Sequence, residues 1–158
     1  MWSSNKKIKM SLDEKNKLQL ACKNSEDLKV ISAYLQDSIT NLGDMIFLKK
    51  KRNLVMMVNR FIWEDAEKGV FRQNKRIRCA VKFEDVTEVK LKNINQKNKN
   101  KPLECLAIKS DKLTNGTYKI NIFFSGDSVI NIVTEVIEVI MQDLGNSWNV
   151  KHIPRHKI

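Results

Sequence analysis

The stretch Thr134-Glu135-Val136-Ile137-Glu138-Val139-Ile140-Met141-Gln142-Asp143-Leu144-Gly145 decides how this chain is read. Val136, Ile137, Ile140, Met141 and Leu144 recur at spacings of three and four, the apolar stripe of an amphipathic helix. Thr134 suits an N-cap. Gly145 stands where a left-handed residue closes a helix. The spacing therefore predicts a C-terminal helix stopped at Gly145.

Upstream of that stretch the period is two. Residues 45–49 and 54–63 are predicted as a hairpin turning at 50–53, with Asn53 taking the left-handed position. The run Leu54-Val55-Met56-Met57-Val58 is apolar on both faces, as in a central or strongly bent strand. In 76–83, Ile77, Cys79, Val81 and Phe83 alternate with Arg76, Arg78, Ala80 and Lys82, the basic residues outward. Further strands are predicted at 86–91, 103–109, 118–124 and 129–133. Turns are marked by Glu84-Asp85, Asn115-Gly116 and Ser125-Gly126-Asp127. Residues 95–101 are a low-complexity Asn/Lys loop.

Before Met45, residues 18–22 alternate as a short strand. Asn24 then caps a helix whose face carries Leu28, Ile31, Leu35 and Ile39, with Asn41 and Gly43 ending it. The expected fold class is α+β: a bent antiparallel sheet or partly closed barrel of about seven strands with a C-terminal helix, plus an N-terminal strand and helix. This element order resembles the pleckstrin-homology-like superfold. A two-layer α+β sheet with both helices on one face is the competing layout. Residues 1–16 are expected to be a flexible tail and 17–158 a single domain, a usual size for one core.

The sequence carries 29 Lys and Arg against 18 Asp and Glu, a formal charge of +11. Such a balance suits a polyanionic partner. Yet 23 of the 29 are lysine, whereas sites that read phosphate or base geometry favour the arginine fork. The basic candidates for an RNA-associated reading are Lys49, Lys50, Lys51, Arg52, Arg72, Arg76 and Arg78. They lack the interleaved aromatics of a single-strand binder.

No catalytic, metal or cofactor signature stands out. The three cysteines form no close pair and read as buried thiols. His152 and His156 flank Pro154 near the C-terminus, and a small hydrolase using His156 is the second alternative. The N-terminus has no apolar core of a secretory signal and no apolar run reaches membrane length, so a cytoplasmic protein is expected. Two polar clusters remain. Gln36 and Asp37 fall late in the first helix, where an acid opposes the dipole. Asn59, Arg60, Trp63 and Glu64 follow a buried run, with Phe61 and Trp63 on one face. Arg60 paired with Asp37 or Glu64, locking helix to sheet, is the structural reading. A ligand or partner site formed by all six is the functional one.

Several of these pieces resemble an alphaproteobacterial domain-of-unknown-function family. They are Glu26-Asp27-Leu28, Val30-Ile31-Ser32-Ala33, Leu35-Gln36-Asp37, Asn59-Arg60-Phe61 and Trp63-Glu64. Leu106-Ala107-Ile108, Asp143-Leu144-Gly145 with Trp148, and Pro154-Arg155-His156 complete the set. The resemblance spans about residues 18–156 and implies no activity or cofactor. It implies that both polar clusters belong to the family pattern. The chain departs from that pattern in its many lysines and in the Asn/Lys-rich loop. The expected function is a non-enzymatic binding or adaptor module that contacts a protein or small ligand.

Overall fold

The computed structural model describes residues 17–66, 74–151 and 153–154. The expected tail 1–16 lies outside the described residues, as do Arg72, His152 and His156. The elements in chain order are β1 (Gln19–Cys22), α1 (Ser25–Leu35), β2 (Ile39–Thr40), a 3-10 turn (Leu42–Asp44), β3 (Met45–Leu48), β4 (Asn53–Phe61), the one-turn α2 (Trp63–Ala66) and β5 (Lys75–Phe83). Then follow β6 (Val86–Lys92), β7 (Leu103–Lys112), β8 (Tyr118–Phe124), β9 (Ser128–Thr134) and β10 (Val139–Asn149).

The strands form one 10-stranded sheet in the order β1-β10-β5-β4-β2-β7-β8-β9-β6, with β3 paired to β4 off this path. The path does not return on itself, so the sheet is open rather than a closed barrel.

The expected C-terminal helix is absent: residues 139–149 are β10. Met141 lies between Leu20 of β1 and Val81 of β5, and Val139, Met141 and Asp143 alternate inward. A run this short and apolar satisfies both periods, and its β-branched residues favour the strand once a partner edge is offered. Thr134 caps nothing; it is the buried last residue of β9. Gly145 is left-handed, φ 69°, but at a register shift between Leu144 and Trp148, where a bulge uses the same conformation. Without the terminal helix the pleckstrin-homology-like order does not apply, and β3 to β10 replace the expected seven strands.

Other boundaries move for similar reasons. In α1, Asn24 Oδ1 accepts the Asp27 N–H at 2.8 Å, and Leu28, Ile31 and Leu35 are buried. The helix stops at Leu35, not beyond Ile39, because Asp37 turns left-handed with φ 62°. Its N–H then donates to Cys105 O at 2.7 Å, and Cys105 N–H donates to Ser38 O at 2.8 Å. Ile39 thus passes into β2. In the β3–β4 turn, Arg52 (φ 56°), not Asn53, is left-handed. The arms flanking Glu84-Asp85 do not pair: β5 stays with β4 and β10, while β6 crosses to β9.

Inward residues from both ends of the sheet share one hydrophobic cluster. It joins Met56, Val58, Val81 and Phe83 to Ile108, Ile120, Ile122 and Ile132, with Leu28, Ile31 and Leu35 of α1 added. Each such side chain stabilises the fold by roughly 1.5–3 kcal/mol when removed from water.

β10 has neighbours on both sides, so Met141→Pro should remove a ladder bond in the sheet interior. The expected result is loss of the cooperative thermal transition by circular dichroism. Leu106→Ala, at an exposed position of β7, should shift stability by less than about 0.5 kcal/mol.

Candidate functional site

Arg60 continues the inward stripe Leu54, Met56 and Val58 of β4, and its side chain is fully buried. All five of its donor hydrogens have an acceptor in reach. Nε donates to Asp143 Oδ1 at 2.7 Å. Nη2 donates to Asp143 Oδ2 at 2.6 Å and to Glu64 Oε2 at 2.8 Å. Nη1 donates to Glu64 Oε1 at 3.0 Å and to Phe61 O at 3.4 Å. The guanidinium is thus held by two carboxylates, each bidentate, the strongest arrangement open to it. Burial alone would lower its pKa; Asp143 first and Glu64 second outweigh that, and the pKa stands above the ordinary arginine value.

Asp143 extends the cluster to the chain's first strand. Its Oδ2 accepts the Leu18 N–H at 2.8 Å, and its own N–H donates to Leu18 O at 2.9 Å. On the α1 side, the Tyr34 ring lies 5.8 Å from the guanidinium carbon. Five elements therefore meet at one charge: α1, β4, α2, β10 and the lead-in to β1. Arg60 does pair with Glu64, as the structural reading has it, but its second acid is Asp143. Asp143 was missed because a helical reading of 134–145 hides its alternation with Val139 and Met141.

The remaining predicted residues lie around this cluster. Gln36 is the C-cap of α1, and its carbonyl accepts Trp63 Nε1–H at 2.9 Å. Trp63 also packs edge-on to Phe61, with centroids 4.5 Å apart. Asp37 is buried and lies past the helix end rather than within it. An acid there is explained by the left-handed backbone, which Asp tolerates better than most residues. The Asp37 and Asn59 carbonyls both accept from Arg76 Nη1, at 3.1 and 2.9 Å. Asn59 Oδ1 accepts from Arg78 Nη1 at 3.1 Å. The six residues are thus neighbours, but Asp37 and Arg60 have no surface to offer.

Trp63 and Glu64 do reach the surface. With Lys29, Val30, Ala33 and Tyr34 of α1 they line an open groove of ≈ 420 Å³. Val30 is 49% exposed there. Sequence reasoning missed Val30 and Ala33, since both lie off the buried stripe of the helix and nothing marks an exposed apolar pair as a site.

The basic candidates divide by residue type. Arg52 pairs with Asp85 and Glu135, Arg78 with Asp44 at 3.2 Å, and Arg76 is committed to two carbonyls. Burial lowers the Arg76 pKa against the pull of Asp37 and Glu104. Lys49, Lys50 and Lys51 are exposed in the β3–β4 turn. Among the described residues no group of three or more His, Cys, Asp or Glu is placed to hold a metal, and no helix is long and apolar enough to cross a membrane.

Fold and site together define an open antiparallel β-sheet protein with one packed helix and a buried arginine–dicarboxylate cluster beneath an apolar groove. A family described as "Protein of unknown function (DUF2948)" matches residues 18–156, and the chain belongs to that family. No curated protein and no solved structure matches the chain.

Three outcomes are expected. Arg60→Ala should cost about 3–5 kcal/mol in urea unfolding, because it strands two acids, one of them fully buried. Arg60→Met combined with Asp143→Leu should recover most of that loss. The three thiols are buried and unbridged. Burial pushes Cys22 up to about 11 and Cys105, beside Asp37, up to about 12; Cys79 rises as well. A raised thiol pKa means little thiolate, so none of the three should react with a disulfide reagent at pH 8 until the protein is denatured.

Proposed function

We propose that the protein is a non-enzymatic binding module that holds an apolar side chain of a protein partner in the groove between α1 and α2. The observation that carries this reading is the clamped Trp63. Its N–H is bonded to the Gln36 carbonyl and its ring rests on Phe61. It lines the groove beside Tyr34 and the exposed Val30. A rigid aromatic in an apolar recess loses little entropy on binding and is the usual form of an interface hot spot. Lys29 and Glu64 border the groove with opposite charges, which suits a polar rim that sets orientation. The buried Arg60 cluster supports the same reading, since it fixes Tyr34 and Glu64 from beneath. An ion pair of that kind is a weak source of stability but a good source of geometry.

An RNA-associated role draws on Lys49, Lys50 and Lys51 alone among the described basic candidates, because the arginines of the set are engaged within the fold. Binding through lysines of that kind would fall steeply with salt.

The test is capture from native cell extract with nuclease present, using the full chain and its Val30→Asp variant as baits. Val30 is exposed, so the variant should keep the thermal stability of the parent. A stoichiometric partner held by the parent and lost with Val30→Asp is expected. A catch retained by Val30→Asp, or one that disappears with nuclease, overturns the proposal.

A further inference from the structure

The open sheet leaves unpaired edges, and β3 and β6 bring theirs to one place. Among the described residues β3 pairs with β4 alone, and β6 ends the sheet on β9. At one end of the seam the Val86 N–H donates to Arg52 O at 2.7 Å. That bond holds the first residue of β6 beside the β3–β4 turn. Beyond it the strands part around a groove of ≈ 400 Å³, walled by Met45 and Phe47 of β3, Leu54 at the floor, and Val89 and Leu91 of β6. The Asn/Lys loop closes the far end, with Gln96 and Lys99 on the wall and the Lys99 carbonyl accepting the Gly43 N–H at 3.0 Å.

We propose that this seam takes an extended, acidic segment of a partner protein as an added strand. An open edge presents N–H and C=O groups that pair readily with another extended chain. Alternate side chains of an inserted strand would enter the groove, and the others would face its rim. That rim is basic. Lys90 and Lys92 alternate with Val89 and Leu91 on β6 and are exposed, Lys99 lies on the wall, and Lys49 to Lys51 extend from the end of β3. The acids near them are Glu88, 3.9 Å from Lys90, and Asp85 and Glu135, both paired with Arg52 in the turn. A second copy of this chain would set these lysines against one another, which like charges oppose. RNA would meet the charge, but it has no backbone to pair with a strand edge and leaves the apolar walls uncovered.

The probe is a fluorescent peptide of about seven residues, the length of an ordinary strand, alternating valine and glutamate. Anisotropy is followed with the full chain. Three controls accompany it: the same peptide N-methylated at alternate amides, a valine–lysine peptide, and a uridine oligomer. Saturable binding of the valine–glutamate peptide is expected, weakened about tenfold or more by N-methylation and severalfold by Lys99→Glu. The valine–lysine peptide should not bind. Val30→Asp should leave the affinity unchanged, which separates this site from the groove between α1 and α2. The proposal is overturned by no saturable binding, by equal binding of the N-methylated peptide, by indifference to Lys99→Glu, or by displacement of the peptide by the uridine oligomer.

Discussion

The structure depends on a single guanidinium. Arg60 is the largest fully buried side chain described, and an unpaired charge at that depth would be ruinous. Its two carboxylates come from very different distances along the sequence: Glu64 four residues on and Asp143 eighty-three residues on. Because every donor is used, the geometry of five elements is set at once. Asp143 in turn holds Leu18, so the charge cluster extends to the lead-in of β1, which also has its own ladder to β10. The apolar cluster drives collapse and offers no direction of its own. The guanidinium fork does have direction, and it sets β10 and α2 relative to β4.

Much of the sheet was legible because its strands alternate without ambiguity. Residues 76–83 show why: their apolar and polar positions fit period two and no other. The helix start at Asn24 was legible too, since an asparagine followed by two acids and then an apolar stripe of helical period fits a helix N-terminus. The stretch 134–145 was not legible. Its apolar residues meet the helical and the extended period together, and its glycine is left-handed in either structure. The choice is made by the edges of β1 and β5, far off in sequence, and a local pattern cannot report them.

The candidate site was half legible for a related reason. Polar residues following a buried run mark Asn59, Arg60, Trp63 and Glu64 as unusual, and the structure does gather them. Whether such a residue faces water is a tertiary matter. Arg60 and Asp37 face inward, where one completes a charge cluster and the other completes a turn. The surface above them joins Trp63 to Val30, Ala33 and Tyr34, three residues that no polar pattern marks in the sequence. Arginine and lysine separate likewise: the described arginines are bonded within the fold, and the lysines of the hairpin turn are left to solvent.

The placement of β10 also has a consequence for synthesis. β10, the last of the described strands in sequence, lies in the interior of the sheet, between β1 and β5. The β7–β8–β9 meander pairs strands adjacent in sequence, so all its partners have been made before β10. The nascent chain cannot complete the Arg60 cluster or pair β1 until β10 has emerged. Such long-range closure is slow, and until it occurs Arg60 lacks Asp143 and the unpaired edge of β5 is open to chaperones and to misassociation.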